Sequence, residues 1–143
     1  MLSKVLLVDD EVAFVEALAK RLAKRDVEIV TAFSGEEALE KLAGLEHIDV
    51  VVLDVKMPGM DGIECLRQIK AQYPLVEVIM LTGHATVENA IDGMKLGALD
   101  YLMKPCDIDL LITKVKEGTS RKRKQEQKIA EARAQHIALS RGD

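Results

Sequence analysis

The sequence predicts a doubly wound α/β fold, a five-stranded parallel sheet with helices on both faces, on the strength of three observations. Short aliphatic runs alternate five times with stretches whose apolar residues recur at helical spacing. The runs lack the apolar–polar alternation of a sheet with one wet face, so each strand is expected to be covered on both sides. Single helices between successive strands require crossover connections, which make the strands parallel.

Lys4–Val8 is the first strand, and it stops at Asp9-Asp10-Glu11. Val12, Val15, Leu18 and Leu22, with Phe14 beside them, carry the first helix to a break at Arg25-Asp26, and Val27–Ala32 is the second strand. Ser34-Gly35-Glu36-Glu37 is a capping box, with Ser34 as N-cap and Glu37 at the third helical position, opening a helix to about Ala43. Val50–Asp54 is a β-branched strand, Ile63–Tyr73 a helix, Val76–Leu81 a strand and Val87–Leu96 a helix. Tyr101–Met103 is a short strand before Pro105, and Ile108, Leu111, Ile112 and Val115 give an amphipathic helix. Gly118-Thr119-Ser120 is expected to break the chain. Arg121–Leu139 then reads as a further helix whose stripe of Ile129, Ala132, His136 and Leu139 is too poor in large residues for a coiled coil. The closing Arg141-Gly142-Asp143 is treated as chance.

A chain of 143 residues and 15.8 kDa is the length of one ordinary domain, which excludes a multidomain enzyme. Hydrophobic residues at 48% against 31% charged exclude global disorder, and 3% aromatics with no Trp make the core aliphatic. Val50–Leu53 falls far short of the roughly 20 apolar residues of a membrane helix, and Leu6-Leu7-Val8 is too short for a signal-peptide core. The chain is therefore expected to be soluble, cytoplasmic and free of membrane contact. Cys65 and Cys106 have no metal-ligand spacing and no disulfide context, and read as small hydrophobes. The net charge of −4 hides a split: residues 113–143 hold nine Lys and Arg against four Asp and Glu, leaving eleven against twenty in residues 1–112. An acidic body suits cation binding better than nucleic-acid contact. Arg121-Lys122-Arg123-Lys124, without a recognition fold around it, reads as a solvated helix face rather than a nucleic-acid site.

Ligands of open parallel sheets lie beyond the carboxyl ends of the strands. Asp9 and Asp10 follow the first strand, Asp54 ends the third, Thr82 follows the fourth and Lys104 the fifth. Acids converging from separate strands raise each other's pKa unless a cation sits among them. A site of few carboxylates that leaves room for water suits Mg²⁺ better than Ca²⁺.

Val8-Asp9-Asp10-Glu11, Leu53-Asp54, Met57-Pro58-Gly59-Met60-Asp61-Gly62, Leu81-Thr82-Gly83-His84 and Tyr101-Leu102-Met103-Lys104-Pro105 together resemble the receiver domain of two-component response regulators. The likeness covers about residues 3–117 and leaves 118–143 as a basic helical extension or linker. It implies a flavodoxin-like (βα)5 fold with strand order 2-1-3-4-5 and a phosphorelay switch, a signalling protein that assists its own phosphorylation and dephosphorylation. By resemblance Asp54 is the phosphoacceptor for a phosphoryl group from a histidine kinase. Asp9, Asp10, Asp54 and the backbone carbonyl of Lys56 are the Mg²⁺ ligands. Thr82 and Lys104 engage the phosphoryl oxygens, Tyr101 is the switch aromatic, and a cis Lys104–Pro105 bond aims Lys104 inward. Gly59 and Gly62 are expected to allow unusual backbone angles beside the site. The implied partners are a sensor histidine kinase or phosphotransfer protein, with a possible homodimer through the fourth helix, fifth strand and fifth helix.

Lys56 and His84 stand two residues beyond Asp54 and Thr82, on the path of a hydrolytic water. His84 and the following Ala85-Thr86-Val87-Glu88-Asn89-Ala90 most resemble receivers of the nitrogen-regulatory (NtrC) type, which carry ATPase and DNA-binding domains downstream, so a cut receiver is one alternative. A phosphatase of the haloacid dehalogenase type is another, opposed because Asp9-Asp10-Glu11-Val12-Ala13 lacks that family's DxDxT on the first strand. A flavodoxin-like cofactor binder is opposed by acids where its phosphate-binding loop belongs.

Overall fold

The computed structural model describes residues 2–44 and 47–141. Ser3–Val8 (β1), Val12–Ala23 (α1), Val27–Ala32 (β2), Gly35–Gly44 (α2), Val50–Leu53 (β3), Gly62–Gln72 (α3), Glu77–Thr82 (β4), Val87–Lys95 (α4), Asp100–Met103 (β5) and Ile108–Arg141 (α5) follow in order. All strand pairs are parallel, and the sheet order is β2-β1-β3-β4-β5. The βα alternation and the strand order agree with the sequence reading, with boundaries shifted by a residue or so.

The unbroken aliphatic runs have the predicted cause. Leu6, Val8, Val51, Leu53, Val78 and Met80 point to one face, and Val5, Leu7, Val50, Val52, Ile79 and Leu81 to the other. Each strand residue is buried on whichever side it faces, so no position favours a polar side chain. Val15, Leu18 and Leu22 of α1 and Ile108, Leu111 and Val115 of α5 cover one side. Ala38 and Leu42 of α2 and Cys65, Leu66 and Ile69 of α3 cover the other. Both cysteines are free, Cys65 buried and Cys106 half-buried. Burial pushes the Cys65 thiol up to about 12, with the acidic charges of Glu36, Asp61 and Glu64 adding to it, consistent with an inert core residue.

The capping box forms with one variation. Ser34 Oγ accepts from the Glu37 amide at 3.0 Å, but the Glu37 carboxylate reaches past Ser34 to the Phe33 amide at 3.1 Å.

The expected break at Gly118-Thr119-Ser120 does not occur. α5 runs through it, and Gly118 and Thr119 are buried. These small residues mark a close crossing: a Cβ on Gly118 would lie 3.0 Å from Val50 Cγ2 and 3.2 Å from Glu77 Cβ. The Thr119 hydroxyl donates to the Val115 carbonyl (3.0 Å) and shares a hydrogen bond with Ser3 Oγ (2.8 Å). Within the basic run Lys122 is likewise buried and not on a solvated face, and Arg123, though exposed, is paired. Asp49, just before β3 and 1% exposed, meets Lys122 Nζ at 3.4 Å and the Arg123 guanidinium at 3.0 and 3.3 Å, and accepts the Lys4 amide at 2.9 Å. Arg123 also donates to the Leu2 carbonyl at 2.7 Å. The first turns beyond Gly118 are thus latched to the amino edge of the sheet, while residues 123–140 are exposed. Gly142 and Asp143 of the closing triplet lie outside the described residues.

A buried carboxylate stripped of its cations is strongly destabilising. Lys122→Met/Arg123→Met is therefore expected to lose about 2–4 kcal/mol in urea denaturation, and adding Asp49→Asn is expected to recover more than half of that. No recovery would show that the loss comes from packing and not from the stranded charge.

Candidate functional site

The carboxyl edge of the sheet gathers the polar ends of four strands. Asp9 and Asp54 leave β1 and β3 as neighbours because Val8 and Leu53 are paired in register, and the Asp54 amide donates to the Val8 carbonyl at 3.0 Å. Thr82 closes β4 and is fully buried. Lys104 follows β5, its amide bonded to the Thr82 carbonyl at 2.9 Å, and the Lys104–Pro105 bond is cis.

Charge is unevenly matched here. Carboxylate oxygens of Asp9, Glu11 and Asp54 all lie within 4.8 Å of one another. Lys104 Nζ stands 2.5 Å from Asp9 Oδ2, 3.5 Å from Glu11 Oε1 and 4.0 Å from Asp54 Oδ2. Asp9 and Asp54 are almost wholly buried. Burial pushes the Asp54 carboxyl above the usual carboxylate range and the Asp9 charge adds to this, against the Thr82 hydroxyl, Lys104 and the Val55 amide, which donates at 2.9 Å. Burial alone would lower the Lys104 ammonium, but its bond to Asp9 and the charges of Asp54, Asp9 and Glu11 outweigh that and raise it.

The loop from Met57 to Gly62 packs against this edge. Asp61 caps α3 by accepting the Glu64 amide at 2.9 Å. Gly59 has a φ of 76°, as expected for a residue needing unusual angles. Gly62 does not: it is required by contact, since a Cβ there would stand 1.9 Å from the Asp54 backbone oxygen. Outside the buried acids opens a cleft of about 400 Å³ lined by Asp10, Glu11, Lys56, Asp61 and His84 among others.

The match to known proteins follows this geometry. Residues 5–116 match the family model of the response regulator receiver domain. This chain belongs to the response regulator receiver family. The receiver is 38% identical over 123 residues to the DNA-binding transcriptional regulator NtrC of Escherichia coli K12, covering 86% of this chain and 26% of that protein. It is 42% identical over 112 residues to the response regulator protein FleR of Pseudomonas aeruginosa, covering 78% and 24%. The chain thus spans about a quarter of the length of these curated relatives. Among solved structures, a response regulator receiver domain protein from Clostridium thermocellum superposes with a TM-score of 0.80 at 38% identity, covering 85% of this chain and 98% of that one. The receiver domain of NtrX from Brucella abortus gives 0.75 at 33%, covering 81% and 98%.

Of the residues expected at the receiver's site, the fold brings Asp9, Asp54, Thr82 and Lys104 together. Asp10 is exposed and lines the cleft, while its neighbour Glu11 joins the acid cluster, its amide donating to Asp9 Oδ1 at 3.0 Å. Lys56 and His84 are exposed at the cleft, and the His84 amide donates to Thr82 Oγ1 at 3.0 Å. Tyr101 is half-buried on β5, its ring against Gly93 of α4 (3.5 Å from Cδ2 to where a Cβ would be). Its hydroxyl makes no hydrogen bond of ordinary geometry among the described residues, and burial pushes its pKa up. Sequence reasoning missed Glu11, although it adjoins the acidic pair, and Phe14, whose ring centroid lies 4.1 Å from Lys104 Nζ.

A carboxyl whose pKa the fold raises is destabilising while ionised, a cost relieved as pH falls through the raised value. Asp54→Asn is therefore expected to melt at a higher temperature than wild type at pH 7 in chelator, with the gap narrowing on acidification. Calorimetric melts at pH 7 and pH 4.5 check this, and an Asn variant that melts lower at pH 7 would show that the carboxylate is a net stabiliser.

Proposed function

We propose that this receiver accepts a phosphoryl group from a sensor histidine kinase or phosphotransfer protein onto Asp54, in an Mg²⁺-dependent reaction that switches a partner-binding surface. The observation that carries the reading is the buried Asp54 carboxylate at the end of β3, with one ammonium at 4.0 Å and unbalanced acids beside it. A carboxylate oxygen of Asp54 attacks phosphorus, the phosphorus–nitrogen bond of the donor's phosphohistidine breaks, and the imidazole leaves with the bonding pair. Lys104 and the Thr82 hydroxyl meet the phosphoryl oxygens of the resulting acyl phosphate. Removing Thr82 toward them frees space for the Tyr101 ring to turn inward.

An all-oxygen donor set with excess negative charge fits a hard divalent cation. Asp9, Asp10, Asp54 and the Lys56 carbonyl would hold Mg²⁺, which supplies charge neutralisation for the phosphoryl oxygens when bound. Glu11 lies close enough to take a place at the rim. The nucleophile's position on the third strand favours this reading over a haloacid dehalogenase-type phosphatase.

The switched surface is assigned to α4, β5 and the start of α5, where Val87, Ile91, Met94, Met103 and Leu110 are exposed, and a homodimer is one use of it. The phosphoacceptor unit is assigned to residues 3–117 with 118–143 as its basic helical extension. Likeness to NtrC supports a second reading, that the chain is the amino-terminal receiver of an NtrC-type activator, which the continuation of its reading frame tests. Among the described residues no helix is long and apolar enough to cross a membrane, and a cytoplasmic location is proposed.

With acetyl phosphate and Mg²⁺, mass spectrometry is expected to find one phosphoryl group on Asp54 and none in Asp54→Asn; full labelling of that variant would sink the assignment. In calorimetry Asp10→Asn is expected to weaken Mg²⁺ binding at least tenfold and Glu11→Gln less, and equal affinity of Asp10→Asn and wild type would remove Asp10 from the ligand set. Lys56 and His84 line the cleft and are poorly suited to holding a water in line, so the phosphoaspartate is expected to last minutes. Lys56→Asn/His84→Glu is expected to shorten that lifetime, and an unchanged decay at saturating Mg²⁺ would free these side chains of any part in it.

A further inference from the structure

We propose that Phe14 is a positioning residue for phosphoryl transfer, holding the Lys104 ammonium against the face of its ring so that Nζ stays within reach of Asp54. The inference rests on Asp54 being the phosphoacceptor. Lysine is a poor choice for a fixed charge: its four-carbon stem is flexible, and ordering it costs rotamer entropy that a single ion pair does not recover. Lys104 is nevertheless held, its side chain only 14% exposed. Carboxylates alone would draw it away from Asp54, since Asp9 is 2.5 Å distant and Glu11 3.5 Å, both nearer than Asp54 at 4.0 Å. Among the described residues, the ring centroid of Phe14 at 4.1 Å is the one attraction on Nζ that involves no acid. An ammonium over an aromatic face gains electrostatically from the ring quadrupole, and more as water is excluded.

The ring is itself well anchored. Phe14 lies in the first turn of α1, half-buried, and packs with the core on that face of the sheet. With Leu18, Leu81, Pro105 and Leu111 it lines a crevice of only about 90 Å³ that also includes the Lys104 stem. The apolar wall holds the ring, and the ring holds the cation. When phosphorylation adds negative charge at Asp54, the ammonium needs to move little, because the ring does not compete for it as a carboxylate does.

Phe14→Leu keeps an apolar side chain in the crevice and removes the quadrupole, while Phe14→Trp restores an aromatic face. Three measurements are made on each: phosphorylation rate with acetyl phosphate and saturating Mg²⁺, the Lys104 ε-methylene proton shifts by NMR, and the melting temperature. In wild type and Phe14→Trp the methylene protons are expected upfield from ring current, and in Phe14→Leu at ordinary values. The rate is expected to fall about three- to tenfold in Phe14→Leu and to return in Phe14→Trp, with melting temperatures that do not follow the rates. Equal rates in wild type and Phe14→Leu, or equal slowing in Leu and Trp, would overturn the proposal, the second by reducing Phe14 to packing. Absence of the upfield shift in wild type would overturn it whatever Asp54 does. If the shift is present but wild type takes no label, the phosphoacceptor reading has failed and takes the proposal with it.

Discussion

Three carboxylates share one ammonium at the carboxyl edge of the sheet, and most of what is distinctive about this molecule depends on that imbalance. Asp9, Glu11 and Asp54 come within 4.8 Å of each other with Lys104 as their nearest cation. Two of the three are buried, where desolvation makes uncompensated charge expensive. The surrounding fold has to be stable enough to impose the arrangement, and the aliphatic sheet supplies that stability. Each buried Val, Leu or Ile contributes about 1.5–3 kcal/mol, and both faces of every interior strand are occupied by them.

The opposite edge of the same sheet uses the same groups in a balanced ratio. There the buried carboxylate of Asp49 is met by two cations, Lys122 and Arg123, and by a backbone amide, and the exposed Glu126 also reaches Lys122 at 3.4 Å. Nothing is left for a ligand to satisfy. The two clusters differ in stoichiometry and not in burial, since Asp49 and Asp54 are buried to nearly the same extent. Two of the four consecutive cations of residues 121–124, Lys122 and Arg123, are engaged with Asp49 and fix the direction in which α5 leaves the sheet.

Between the two edges the helices are held unequally. α1, α3 and α5 each bury several large side chains, whereas α4 buries only Gly93 and leaves Val87, Ile91 and Met94 in solvent. A nine-residue helix with a glycine in its last turn and so little burial is the least secured element of the cover. Tyr101 rests its ring on that glycine.

Much of this was legible in the sequence by itself, because it is local. Aliphatic runs, helical periodicities, the Ser34 cap and polar residues at strand ends are short-range patterns, and a parallel sheet necessarily collects its strand ends on one edge. Asp9, Asp54, Thr82 and Lys104 were identifiable for that reason. What only the tertiary structure decided depends on residues far apart in the chain or on which way a loop turns. Asp10 and Glu11 are adjacent acids that both line the cleft, and only the path of the loop after β1 brings Glu11, and not Asp10, into the cluster. Phe14 looked like one more apolar residue of α1 until β5 brought Lys104 over its ring, 90 positions later. Gly118-Thr119-Ser120 has the composition of a break, and Asp49 that of a solvated loop acid. Their contacts with each other's strands and helix, across some 70 residues, turn the first into a close crossing and the second into the anchor of α5.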